Sequence, residues 1–106
     1  MYSHLYYNEG QMKVTRWDNA KSAALKKERG VSFEEMTRDG RIINMVGHPT
    51  KSHQRLVLYD YEGYVWVVPC VVSETEIFLK TMFPSRQYTK RWKKGEFDEK
   101  DQSDQG

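Results

Sequence analysis

Between Tyr64 and Val72 the chain reads Tyr-Val-Trp-Val-Val-Pro-Cys-Val-Val, and this run sets the first limit on the fold. Val65, Val67 and Val71 alternate with Trp66, Val68, Cys70 and Val72, so a strand here is apolar on both faces and belongs in the middle of a sheet. Pro69 has no N–H to give to a ladder and predicts a bulge or a locally unpaired position. Neighbouring strands stand at hairpin spacing: Gln54–Tyr59 before it across a turn at Gly63, and Glu76–Met82 after it across Ser73-Glu74. Arg41–Val46 is a fourth strand, with Ile42, Ile43, Met45 and Val46 too dense for one wet face.

Helix signals flank these strands. Asp18 or Asn19 offers an N-cap, Ala20, Ala23 and Ala24 continue at helical spacing to Lys27, and Gly30 is a stop. Ser32-Phe33-Glu34-Glu35 has the spacing of a capping box and starts a short second helix that buries Phe33 and Met36 and ends at Arg38-Asp39-Gly40. Ser85 after Pro84 caps a terminal helix, Arg86–Lys93. Residues 1–10 form an arm or short edge strand, Lys13–Trp17 a short strand, and residues 95–106 an acidic tail expected to be disordered. With 106 residues there is room for one core, placed at 11–94. The predicted class is α+β: two N-terminal helices and a C-terminal helix segregated on one face of an antiparallel sheet of about four strands.

The single cysteine, Cys70, excludes an internal disulfide or a thiolate zinc site and fits a reducing cytoplasm. No apolar run reaches the roughly 20 residues of a membrane span, and the first ten residues are too polar for a secretory leader. No Gly-rich phosphate loop or metal-ligand spacing is present; His4, His48 and His53 are scattered, and neither a metal nor a cofactor is expected.

The net charge of +2 conceals a strong asymmetry. Lys80, Arg86, Lys90, Arg91, Lys93 and Lys94 stand in a segment without an acid, whereas residues 96–106 carry five acids and one lysine, a net −4 that leaves +6 for the rest. A basic segment of this kind attracts phosphates or is simply a solvated helix, and Tyr88 and Trp92 interleaved with the charges favour nucleic acid. Arg86 falls in the first turn of a helix, where free backbone amides already favour an anion. Lys80 shares strand periodicity with Phe78 and Met82, which would set a lysine among apolar neighbours. Arg55 and the loop holding His48 are expected to converge on the same end of the sheet.

Three blocks carry a resemblance: Trp17-Asp18-x-x-Lys21, Glu28-Arg29-Gly30-Val31-Ser32-Phe33-Glu34-Glu35, and Ile77-Phe78-Leu79-Lys80-Thr81-x-x-Pro84-Ser85-Arg86-x-x-Thr89-Lys90. Together they resemble the BrnT-type toxins of bacterial toxin–antitoxin pairs over residues 17–92. The resemblance implies a RelE-like α+β fold, ribonuclease activity that arrests translation on or off the ribosome, a cognate antitoxin, and operator DNA bound only through the antitoxin complex. Under that reading RNA is cleaved without metal by attack of a ribose 2′-hydroxyl on the adjacent phosphate, which needs a base, cationic stabilisation and an acid. Arg86 is the expected phosphate clamp, Lys80 the charge stabiliser and His48 the proton carrier, with Arg55, Ser85, Tyr88, Lys90 and Arg91 binding RNA. The alternative is a non-catalytic interaction or regulatory module that binds a partner protein or nucleic acid without turnover.

Overall fold

The computed structural model describes residues 2–8 and 11–96. Of the segment 95–106 expected to be disordered, Gly95 and Glu96 instead form an ordered turn on the end of α3, and the rest lies outside the described residues. The N-terminal strands are β1 (Tyr2–Asn8) and β2 (Gln11–Arg16), followed by helices α1 (Asn19–Arg29) and α2 (Phe33–Asp39). Then come β3 (Arg41–Gly47), β4 (Gln54–Tyr61), β5 (Tyr64–Val72), β6 (Glu76–Leu79), β7 (Phe83–Pro84) and α3 (Arg86–Lys93).

Local chemistry sets the helix ends. The Asp18 carboxylate accepts from the amides of Ala20 and Lys21, and Gly30 closes α1 at φ 83°, a left-handed conformation that costs a side chain dearly. Ser32 and Glu35 complete the capping box of α2. Ser22, buried on α1, joins the two helices: its hydroxyl accepts from the Phe33 amide at 2.9 Å and donates to Glu34 at 2.6 Å.

The strands lie in the order β1-β2-β6-β5-β4-β3, with β7 on the edge of β5 beyond β6. Every pair is antiparallel except β2 with β6, which run parallel. The sheet is therefore mixed and wider than the antiparallel four strands expected. The excess comes from the N-terminus, where β1 and β2 form a hairpin that adds to β6.

The helices do not share one face. Trp17, Leu25, Phe33 and Met36 pack on Val57, Tyr59, Trp66, Val68, Ile77 and Leu79 to make the larger core. On the other face, Leu56, Leu58, Val65 and Val67 are covered by Tyr88 and Trp92 of α3, with Ile43 and Val46 beside them. The reason is the period of β4 and β5: both alternate large apolar side chains to either side, and each side needs a cover.

Pro69 interrupts what reads in sequence as one strand, Glu76–Met82. Cys70 pairs with Leu79, and Val67 with Phe83, so Val68 and Pro69 face three residues, Lys80, Thr81 and Met82. The Lys80 amide donates to the Pro69 carbonyl at 2.8 Å, but the return bond of such a pair requires an N–H that proline lacks. The chain bulges there. The extra residue brings Met82, rather than Thr81, into the row of Val68, and Met82 is fully buried in the α1–α2 core.

Candidate nucleic-acid interface

Helix α3 is seated on β5 through its first turn. The Ser85 amide donates to the Val65 carbonyl at 2.8 Å, and the Ser85 hydroxyl accepts from the Tyr88 amide at 3.1 Å. Thr89, buried one turn on, accepts from the Val65 amide at 2.8 Å and donates to the Ser85 carbonyl at 2.6 Å. Both polar groups of Val65 are thus satisfied by α3, and the helix direction is fixed where its charges begin. Tyr88 and Trp92, the aromatics interleaved with the charges, are half-buried and pack against the sheet.

The outward side carries the charge. Arg86, Lys90 and Lys93 are exposed and spaced i, i+4, i+7, which aligns them in one stripe along the edge of the helix beside buried Thr89. Arg91 lies at the flank, its guanidinium 5.4 Å from the centre of the Tyr88 ring and its Nε donating to Glu96 at 2.7 Å.

The other candidate residues lie elsewhere. Gly47, Arg55, Cys70 and Leu79 occupy one row across β3, β4, β5 and β6. The His48 amide donates to the Gln54 carbonyl at 3.2 Å, and Lys80 stands opposite Pro69, so His48 and Lys80 flank that row on either side. With strands roughly 4.8 Å apart, Arg55 and Lys80 are about 10 Å apart at the backbone. Ser85, by contrast, is opposite Val65, four residues along β5 from Pro69. That is about 14 Å of extended strand. His48, Arg55 and Lys80 lie toward one end of the sheet but are not brought together: His48 and Lys80 are three strands and about 16 Å apart at the backbone, and alternation sets Arg55 on the α1–α2 face with Cys70 and Leu79 and Lys80 on the other face. Helix α3, with Ser85 and Arg86, starts nearer the opposite end.

The side chains in this row differ in character. His48 Nδ1 accepts from the amides of Thr50 and Lys51, both at 3.1 Å, which closes the loop and leaves the proton of the neutral ring on Nε2. Lys80 is exposed, and its periodicity parts from that of Met82, which the bulge returns to the α1–α2 core with Ile77 and Leu79. Arg55 is exposed and precedes Val57 and Tyr59 in alternation. Burial pushes the neighbouring Cys70 thiol up to about 11, against the opposing pull of Arg55. Cys70 is thus held as an unreactive thiol.

Sequence reading missed two contacts that position this region. Thr89 could have been found by its i, i+4 relation to Ser85. Arg29, whose guanidinium donates to the Met82 carbonyl, carries no such local signal. A cleft of about 360 Å³ lies on the α1–α2 face, bordered by Ile42, Met45, Tyr59 and Leu79, away from α3. Among the described residues no three His, Cys, Asp or Glu side chains gather as a metal site, and no helix is long and apolar enough to cross a membrane. No protein-family model, no curated protein and no solved structure matches this chain.

Proposed function

We propose that this chain is a RelE-like ribonuclease toxin of a toxin–antitoxin pair, in which α3 grips the RNA backbone and the opposite end of the sheet presents the reacting groups. The observation that carries the RNA contact is the stripe of Arg86, Lys90 and Lys93 on the exposed side of a helix clamped to the central strand. Cations fixed at helical spacing on a rigid support suit a phosphate backbone, because binding releases counterions without the cost of ordering the surface first. The resemblance in the Ile77–Lys90 block supports the reaction class and the antitoxin partner.

Under this reading Lys80 stabilises charge on the reacting phosphate, and His48 transfers a proton through Nε2. Arg86, about 14 Å along β5 from Lys80, holds a neighbouring phosphate of the same strand. Arg55, on the α1–α2 face, stands apart from Lys80 and α3 and adds positive charge only at the sheet's end. The separation of Arg86 from Lys80 equally favours a second reading, a module that binds RNA and does not cleave it.

The test uses a labelled single-stranded RNA in the presence of a chelator. The chain is expected to bind and cleave it, and Arg86→Ala with Lys90→Ala to weaken binding by about tenfold at low salt. Lys80→Ala is expected to slow cleavage with little loss of affinity. Binding without cleavage selects the second reading. Unchanged affinity in the α3 double variant, in a chain that retains its circular dichroism spectrum, sinks the proposed interface.

A further inference from the structure

The aromatic rings of α3 are turned into the sheet, but two rings outside the helix stand in line with the cations. By strand alternation Phe78 and Lys80 point away from the α1–α2 core that holds Ile77 and Leu79. Phe83, opposite Val67, points the same way, since its neighbour Met82 lies in that core. Phe83 is 39% exposed, Phe78 is half-buried, and Lys80 is exposed.

Phe83 is placed along two directions. Along β5, Lys80 stands opposite Pro69, Phe83 opposite Val67 and Ser85 opposite Val65, so Phe83 is halfway between Lys80 and the start of α3, about 7 Å from each row. Across the sheet, α3 turns about 100° per residue, which sets Tyr88 and Trp92 to one side of Thr89 and Arg86, Lys90 and Lys93 to the other. Tyr88 and Trp92 cover Leu56, Leu58, Ile43 and Val46, toward β4 and β3. The basic stripe therefore faces the β7 side, where Phe83 lies. The backbone that carries the ring is held as well: Phe83 pairs with Val67, the Met82 carbonyl accepts from the Arg29 guanidinium, and Pro84 fixes the next torsion.

We infer that Phe83 is a stacking platform for a base of single-stranded RNA, with the phosphates that flank this base held by Lys80 on one side and Arg86 on the other. The inference rests on the RNA reading of α3 and adds to it an unpaired base as the thing recognised. An apolar ring exposed by itself has no such meaning, but a ring fixed between two cations on one face matches a strand in which flat bases and charged phosphates alternate. The long stems of lysine and arginine close the remaining distance to the phosphates. Every base offers a π-face, so the platform is tolerant of sequence, whereas a duplex keeps its bases stacked inside the helix and cannot use it. Phe78, two residues before Lys80 on the same face, continues the alternation of ring and cation.

The experiment measures binding of a 2′-O-methyl RNA oligonucleotide, which lacks the hydroxyl needed for cleavage, to the full chain and to three Phe83 variants. The oligonucleotide is offered as a single strand and annealed to its complement. Because the ring is exposed, the variants are expected to keep the circular dichroism spectrum of wild type. Phe83→Ala and Phe83→Leu are expected to weaken single-strand binding about tenfold while leaving the slope of affinity against salt unchanged, since the phosphate contacts remain. Phe83→Trp is expected to bind at least as tightly as wild type. The duplex is expected to respond to none of the three. Full affinity in Phe83→Leu, or an equal loss on the duplex, overturns stacking. A single strand whose binding depends on Arg86 and Lys90 but is unmoved by Phe83→Ala overturns the platform and leaves the α3 interface standing. A wild-type chain that binds no single strand removes the RNA reading, and the platform with it.

Discussion

The Thr89 hydroxyl fills the hydrogen-bonding position of a missing strand beside Val65. It takes up the Val65 amide at 2.8 Å while Ser85 covers the Val65 carbonyl, so α3 finishes the ladder that β7 begins. Thr89→Val keeps the shape and removes the acceptor, leaving a buried amide unpaired, which costs about 1–3 kcal/mol. Thr89→Ser is expected to retain most of the stability. Urea denaturation of the three chains checks this, and equal midpoints for wild type and Thr89→Val would show that the contact contributes nothing.

Gly40 ends α2 in a place without room for a side chain. A Cβ there would lie 2.6 Å from the Met36 carbonyl oxygen and 2.9 Å from the Tyr59 ring. The backbone angle itself, φ −79°, suits any residue, so the restriction is one of space alone. Gly40→Ala is expected to lower stability by about 1–3 kcal/mol, the usual range for overpacking a core. A thermal melt within a degree of wild type would mean that α2 shifts freely away from β4.

Glu34 ties stability to pH. The Ser22 hydroxyl, chiefly, and the Trp17 indole N–H hold its carboxyl below its ordinary value of 4.5. A carboxyl lowered in the folded state stabilises the fold above the unfolded value, and that contribution fades as the pH falls through the folded one. Glu34→Gln is therefore expected to unfold more easily than wild type at neutral pH, with the difference shrinking below about pH 4. Chemical denaturation across this range reads the gap; a gap that is constant with pH contradicts the assignment.

Cys70 has no solvent exposure and its thiol is raised to about 11. Alkylation by iodoacetamide at mildly alkaline pH is expected to be negligible in the folded chain and complete in denaturant, because the thiolate is the nucleophile. Mass spectrometry distinguishes the two states, and rapid labelling of the native chain would place the sheet's centre in frequent contact with solvent.

The helix boundaries are legible in the sequence because caps are local: Asp18, the Ser32–Glu35 box and Ser85 act within one turn of themselves. Pro69 also announces its own irregularity. The parallel contact of β2 with β6 leaves no mark of this kind, since Val14 meets Glu76 only after the intervening helices and strands have been placed. The second helical layer is partly legible: the double-faced apolar run of β5 demands a cover on each side, and the same demand argues against helices confined to one face. For the site, the difficulty is backbone extension. Lys80 and Arg86 are close in sequence and read as one cluster, yet the residues between them run along β5 before α3 begins, and extended chain separates them by about 14 Å.

The bulge at Lys80-Thr81-Met82 has a further consequence for the economy of the fold. Without Thr81 the segment would run in simple phase with β5: Met82 would still fall opposite Val68, Phe83 opposite Val67, and Ser85 within reach of Val65. The architecture has no use for that residue. Its presence leaves Thr81 as the looped-out position between two anchored neighbours, Lys80 bonded to the Pro69 carbonyl and Met82 buried in the α1–α2 core, so variation is confined to that single residue.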